Sequence, residues 1–340
     1  LFGRNGESPM PVIAATSPTG CFDAAYMASK IALEHMTPVV LLTDGFVANG
    51  SGAWKLPKLA DYPAINPPYV TPEMKDNYTP YKRNPETGVR YWAIPGQEGY
   101  MHILGGLEKD SNTGAISTDP ENHNLMCRLR AEKVAKIPVP DVEVQGCADD
   151  ADLLIVGFGG TYGHLYSAME EMNKAGKKVA LAHFTYLNPL PKNTEAVLKK
   201  YKKVVVAEQN LGQFASYLRM KIDNFTPYQF NEVKGQPFVV AELVAAVNKI
   251  IDIIYLILVI VFCRTKFHLH TVVEKCFTLH FFIHLMPPFI IAALGHADVI
   301  TCIRSVTRGN KRCQAKQEIE KTVFHIHRCI METKIKGEEK

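Results

Sequence analysis

Three groups of residues in this sequence could do chemistry. The first is a polar step at the end of an apolar run, where Val39-Val40-Leu41-Leu42 gives way to Thr43-Asp44-Gly45, with Asn49 just beyond. A continuous apolar run suits a parallel strand covered on both faces. Polar residues at the carboxyl end of such a strand stand where open α/β sheets bind ligands. Asp44 is equally suited to capping the turn that follows. The second group is the glycine-rich turn Gly157-Phe158-Gly159-Gly160-Thr161-Tyr162-Gly163. It invites a dinucleotide-binding reading and fails it. Tyr162 takes the third glycine position, and the next strand ends in His183-Phe184-Thr185 without the acid that would hold a ribose hydroxyl. A tight strand-to-helix turn is the expectation. The third group is made of scattered sulfur and imidazole. Cys21, Cys127 and Cys147 form no C-x-x-C pair, so neither a zinc site nor an iron–sulfur cluster is expected in residues 1–250. Taken alone, His102 and His123 read as structural rather than catalytic.

The elements that must position these residues follow from pattern. Pro11–Thr16 is a short apolar strand; Ser17-Pro18 then offers a cap and a first-turn proline. Cys21, Ala25, Ala28, Ala32 and His35 recur at helical spacing and predict a small-residue face. Residues 46–100 carry prolines at 57, 63, 67, 68, 72, 80, 85 and 95, which disfavours long helices and central strands. An irregular segment of that length is expected to be an arm. Tyr62, Tyr69, Tyr78, Tyr81, Tyr91 and Trp92 suit packing on another subunit; a surface loop packed on its own chain is the alternative. Asp119-Pro120-Glu121 predicts a helix start, and Pro138–Asp150 reads as a linker. Strands at Leu153–Val156, Val179–Ala182 and Val204–Ala207 alternate with helices at His164–Lys174, Thr194–Lys200 and Leu211–Ile222. Three such repeats predict a three-layer domain with a parallel sheet.

Charge divides the chain. Residues 1–250 hold 25 Lys and Arg against 26 Asp and Glu, and residues 251–340 hold 13 against 8. The first part therefore gives no reason to expect nucleic acid. Its unpaired cysteines fit a reducing, cytoplasmic setting.

Eight motifs then stand in one order. They are Gly3-Arg4-Asn5-Gly6-Glu7, Thr37-Pro38-Val39, Asp44-Gly45, Gly105-Gly106-Leu107-Glu108-Lys109, Asn122-His123-x-x-Met126 with Arg130 and Lys133, Asn188-Pro189-Leu190-Pro191, Glu208-x-Asn210-x-Gly212-Gln213, and Gly235-Gln236-Pro237-Phe238. Together they resemble the α subunit of 2-oxoacid:ferredoxin oxidoreductases, most closely the 2-oxoglutarate branch. The resemblance implies an α/β fold with three-layer parallel sheets. Residues 1–50 would be the C-terminal half of a thiamine-diphosphate pyrimidine-type domain, and residues 51–137 an arm and helix completing it. A linker at 138–150 would lead to a transketolase C-terminal-like domain at 151–250. The resemblance also implies oxidative decarboxylation of a 2-oxoacid to an acyl-CoA, with electrons passed to ferredoxin. Thiamine diphosphate, Mg2+ and a 4Fe-4S cluster would be held with or by a β subunit, coenzyme A would be the co-substrate, and the assembly a heterotetramer or larger. Asp44, Asn49, His102, Glu108, His123 and Arg130 become candidates for the substrate or cofactor cleft, and Glu208, Asn210 and Gln213 for the subunit interface. The family's cofactor-activating glutamate and its carboxylate-binding threonine and arginine have no counterpart here. The chain is accordingly expected to open inside a domain and to be inactive by itself.

Beyond Ile250–Ile251 the composition shifts. Ile253–Cys263 is a short apolar run, and Cys276–Gly295 is interrupted by His280, His284 and Pro287-Pro288. Three readings compete: sequence read past a frameshift, a lineage-specific helical segment, and a membrane-associating hairpin. For the whole chain the rivals are a subunit acting on another 2-oxoacid such as pyruvate, a non-catalytic interaction module, and a membrane-associated scaffold.

Overall fold

The computed structural model describes Leu1 and residues 6–252. The sequence readings on Gly3-Arg4-Asn5 and on the tail, including its five cysteines and both apolar runs, lie outside the described residues.

A small sheet comes first. β1 (Val12–Ala14) and β2 (Val40–Leu42) pair in parallel, Ile13 opposite Leu41, on either side of α1 (Gly20–Glu34). α1 begins later than the Ser17-Pro18 signal predicts, with Thr19 at its cap position. Ser17 still serves the helix, because its Oγ accepts the Gly20 N–H at 3.0 Å. The buried face is Ala24 and Ile31, with Cys21, Met27 and Ala28 partly buried beside them; Ala25 is exposed. The small-residue stripe is thus rotated from the predicted one. β2 was expected to be covered on both faces. It is instead an edge strand, with Leu42 39 % exposed.

The segment that follows has the irregular form its prolines demand. Its regular pieces are 3-10 turns at Leu59–Asp61 and Pro72–Asn77, and bridges such as Tyr69 to Trp92. Part of the aromatic set packs on the chain's own α1. Tyr26 donates to the Pro63 carbonyl at 3.0 Å, Trp92 Nε1 donates to the Leu33 carbonyl at 2.9 Å, and Tyr62 donates to Asp23. Met101 and Ile103, by contrast, are almost fully exposed. α3 (Pro120–Ala135) starts as predicted, its cap residue Asp119 accepting from Glu121 N and Asn122 N.

The larger sheet has the order β3-β5-β4-β7-β8, built from Val144–Gly146, Val179–Phe184, Leu153–Phe158, Val204–Glu208 and Tyr228–Asn231. The three repeat strands β4, β5 and β7 run parallel, and β8 extends them in parallel. β3 lies antiparallel at one edge, so the 138–150 stretch read as a linker contributes a strand. Side chains alternate across the sheet. Leu154, Val156, Ala180, Ala182 and Val206 pack on one face with α5 (Thr194–Lys200) and α6 (Gln213–Lys221). Leu153, Ile155, Leu181 and Val205 pack on the other with α4 (Tyr162–Lys174) and the helix α7 that runs through residues 240–252. These are the three expected layers. Each apolar run is continuous because both of its faces are covered.

One further strand joins the two sheets. β6 (Tyr186–Asn188), where the sequence suggests only a turn, pairs antiparallel with β1. Ala14 N donates to Thr185 O at 2.8 Å, and Asn188 Nδ2 donates to Met10 O at 2.7 Å. Among the described residues no helix is long and apolar enough to cross a membrane.

Candidate functional site

A cleft of about 260 Å³ opens at the carboxyl ends of β1 and β5. Thr16, Gln145, Tyr162, His183, Thr185 and Tyr186 are among the residues lining it. This is the edge at which open α/β sheets receive ligands. The lining is polar and includes two carboxylates, Asp141 and Glu143, beside its uncharged groups. Gln145 and the Tyr162 hydroxyl meet at 3.2 Å, and Thr161 Oγ1 lies 3.3 Å from His183 Nε2. The Tyr162 ring stands edge-on to His183, centroids 5.1 Å apart. Burial pulls the His183 imidazole down to about 3, so it stays neutral near pH 7. Such a lining can orient a heteroaromatic ring through hydrogen bonds and edge contacts.

Sequence reasoning placed Thr16 and His183 at strand ends without singling them out, and it treated Gln145 as linker. A signal for Thr16, Thr185 and His183 was available, since all three follow or end apolar strand runs. Gln145 required knowledge that β3 joins the sheet.

Asp44 does not line this cleft. It caps the short helix α2 (Gly45–Asn49), with Oδ1 accepting from Val47 N at 2.8 Å. Its Oδ2 reaches 116 positions along the chain to accept the Gly160 N–H at 3.0 Å. A Cβ at Gly160 would lie 1.9 Å from that oxygen, so the glycine is required by close approach. An anion bound at this turn would meet the Asp44 carboxylate. Next to it, the His164 ring lies tilted against Phe46, centroids 5.5 Å apart, and its Nδ1 is buried without a hydrogen-bond partner among the described residues. Burial lowers the His164 pKa against the pull of Asp44. Asn49 folds back within α2, its Nδ2 donating to Gly45 O at 2.9 Å.

The other candidates form two separate places. His102 is exposed and sits 2.7 Å from the Tyr100 carbonyl. Glu108, His123 and Arg130 do come together. Glu108 Oε2 lies 2.5 Å from His123 Nδ1, and Oε1 accepts from Arg130 Nη1 at 3.2 Å. Burial pushes the Glu108 pKa up, but the hydrogen bonds from His123 and Arg130 outweigh it and hold the carboxyl below its usual range.

The residues read as interface candidates have mostly local work. Glu208 is fully buried, and its two oxygens accept from Phe214 N and Ala215 N at 2.7 and 2.8 Å, closing the amino end of α6. Asn210 Oδ1 accepts from Gly212 N and Gln213 N. Gln213 is exposed. Among the described residues, no group of three or more His, Cys, Asp or Glu could hold a metal ion.

Comparison with known proteins gives a consistent picture. Residues 1–112 match the family described as pyruvate flavodoxin/ferredoxin oxidoreductase, thiamine diphosphate-binding. Residues 151–241 match pyruvate:ferredoxin oxidoreductase core domain II. The 2-oxoglutarate oxidoreductase subunit KorA of Mycobacterium tuberculosis is 45 % identical over 245 residues, covering 72 % of this chain and 37 % of that protein. The alpha subunit of 2-oxoacid:ferredoxin oxidoreductase 2 of Aeropyrum pernix is 28 % identical, covering 74 % and 40 %. A solved 2-oxoglutarate:ferredoxin oxidoreductase from Magnetococcus marinus, with 2-oxoglutarate, coenzyme A and succinyl-CoA bound, superposes with a TM-score of 0.67 at 28 % identity, covering 74 % of this chain and 44 % of that one. The chain thus spans about two-fifths of the length of these relatives.

Proposed function

From the premise that this chain belongs to the 2-oxoacid:ferredoxin oxidoreductase α-subunit family, we propose that it forms part of an enzyme that decarboxylates 2-oxoglutarate oxidatively to succinyl-CoA. Electrons would pass to ferredoxin. The observation that carries the choice of 2-oxoglutarate is the 45 % identity to the mycobacterial 2-oxoglutarate oxidoreductase subunit. A subunit serving another 2-oxoacid is the second reading, favoured by the pyruvate-named family models that match both halves.

In this reading residues 1–50 are part of a pyrimidine-type domain, and 51–137 an arm and helix completing it and its interface. The short β3-bearing connection at 138–150 leads to a transketolase C-terminal-like domain at 151–250. Thiamine diphosphate, when bound, would supply the carbanion-stabilising chemistry that decarboxylation of a 2-oxoacid requires. Beside the carboxylates Asp141 and Glu143, the cleft offers Gln145, Tyr162 and Thr185 as hydrogen-bonding groups and His183 as a neutral imidazole, a set that fits a heteroaromatic ring such as a pyrimidine. The described residues gather no donor set for a metal ion. The diphosphate, Mg2+ and a 4Fe-4S cluster would be shared with or held by a β subunit, in a heterotetramer or larger assembly in the cytoplasm. What this chain contributes is position: the welded strands β1 and β6 hold the cleft walls in one register, and Tyr162 and Tyr186 line it.

The test is reconstitution of the chain, joined to an α-subunit segment that supplies the cofactor-activating glutamate and the carboxylate-binding threonine and arginine, with a β-type subunit, thiamine diphosphate and Mg2+. We expect coenzyme A-dependent reduction of a viologen dye with 2-oxoglutarate, slower turnover with pyruvate, and none from the chain alone. Faster turnover with pyruvate would move the assignment to the second reading. Turnover by the isolated chain would overturn the division of labour.

A further inference from the structure

The Glu108 cluster contains a fourth residue that sequence reasoning passed over. On α3, Cys127 stands one helical turn after His123, the i, i+4 spacing that places two side chains side by side. His123 Nε2 lies 3.8 Å from Cys127 Sγ, and Arg130 Nη2 donates to the same sulfur at 3.1 Å. With Nδ1 of His123 held 2.5 Å from a Glu108 oxygen, the ring proton belongs on Nδ1, leaving Nε2 as the basic nitrogen facing the thiol. Arg130 bridges the cluster, binding Glu108 through Nη1 and the sulfur through Nη2. Its Nε is buried and without a hydrogen-bond partner among the described residues. A base beside a thiol, a carboxylate orienting that base and a cation on the sulfur are the parts of an activated cysteine. The site is also reachable, since the His123 side chain is 63 % exposed and Cys127 is half-buried.

The other two described cysteines differ in kind. Cys21 has its thiol pushed up by burial and by the nearby Asp44. Cys147 contacts the Asn173 side-chain carbonyl at 3.7 Å, a neutral acceptor that does nothing to favour a thiolate.

We propose that Cys127 is a nucleophilic thiol that exchanges with small-molecule disulfides, making this face of α3 a site of reversible modification. The Sγ proton passes to His123 Nε2, and the resulting imidazolium is held by Glu108. The thiolate, paired with Arg130, attacks one sulfur of the disulfide RS–SR. The S–S bond breaks, the Cys127–S–SR bond forms, and RS⁻ leaves with the proton returned from His123 to become RSH. The cysteine sulfur is oxidised and the leaving sulfur reduced, so no further oxidant is needed.

The reduced full-length protein should be treated with limiting iodoacetamide at pH 7, and the cysteines compared by peptide mass spectrometry. A thiol with a base and a cation in place predicts alkylation of Cys127 about fivefold to tenfold faster than Cys147 or Cys21. Oxidised glutathione should then leave one glutathionyl group on Cys127, removable by dithiothreitol. His123→Gln should bring the Cys127 rate down to that of Cys147, and Glu108→Gln should lower it part of the way. Equal rates for Cys127 and Cys147 in the wild type would overturn the proposal, and this comparison needs no variant to fold. A His123→Gln protein with an unchanged Cys127 rate would overturn it too, because exposure alone would then explain the reactivity.

Discussion

Replacing Gly160 by Ala tests the bond that ties the glycine-rich turn to the end of β2. The new Cβ would stand 1.9 Å from Asp44 Oδ2, closer than any two such atoms can approach. Asp44 is on the exposed side of the turn, so its carboxylate can swing outward. The cost is then set by what the swing abandons rather than by the overlap. Two hydrogen bonds go: the cap bond to Val47 N at 2.8 Å and the bond to Gly160 N at 3.0 Å. A lost N-cap costs about 1 kcal/mol, and leaving the buried Gly160 N–H unpaired costs about 1–2 kcal/mol. Gly160→Ala should therefore destabilise by about 2–3 kcal/mol in total. Asp44→Ala removes the same two bonds and should cost the same. The double variant should be no worse than either single one, a coupling of about 2 kcal/mol in a double-mutant cycle. Urea unfolding followed by far-UV circular dichroism reads this as a midpoint shift of about 1 M, for a slope of about 2–3 kcal/mol per M. Additive costs, with the double variant losing the full sum, would refute the reasoning. So would a Gly160→Ala protein of wild-type stability.

Other expectations follow from the same geometry. Glu208→Ala leaves two N–H groups at the start of α6 buried and unpaired, and should cost about 2–4 kcal/mol in the same assay; a loss below about 1 kcal/mol would show that water replaces the carboxylate there. His183 stays neutral in the folded chain down to about 3, while in the unfolded chain it takes up a proton near 6.5. Stability should therefore fall as pH drops from 6.5 toward 3, with His183 contributing about 1 kcal/mol per pH unit. His183→Gln should flatten that slope in acid unfolding curves, and an unchanged slope would place the titration elsewhere. Trp92→Phe removes the bond to the Leu33 carbonyl and should loosen the arm from α1. Faster proteolysis within residues 54–66 is the readout, and an unaltered cleavage pattern would count against that anchor.

The parts of the fold written in runs were legible from sequence. Leu153–Val156 and Val204–Ala207 are apolar throughout because both faces of their sheet are covered. Asp119-Pro120 marks its helix because cap and proline act locally. The short edge strands were not legible. Val144–Gly146, Tyr186–Asn188 and Tyr228–Asn231 hold three or four residues each, and partners far along the chain decide whether they pair. β2 misled for the opposite reason: its run of four apolar residues reads as central, yet it lies at an edge. The cleft was legible only in part. Asp44 was placed correctly at a strand end, but its cap and its reach to Gly160 are contacts that spacing does not reveal. Cys127 is the reverse case, since its i, i+4 relation to His123 was visible all along.

The antiparallel weld of β1 to β6 also dictates an order of events during synthesis. Met10 and Asn188 are 178 positions apart, yet they share a hydrogen bond. The first sheet cannot close when its own residues leave the ribosome; it has to wait until β5 and the turn after it have been made. Until then the edge of β1 that β6 covers stays unpaired. Closing so long a loop costs entropy before any contact repays it. The later α/β unit, whose repeat strands pair through short crossovers, is thus expected to form first and to act as the template on which the earlier one assembles. Within this stretch, assembly would run from the later strands toward the earlier ones, against the direction of translation.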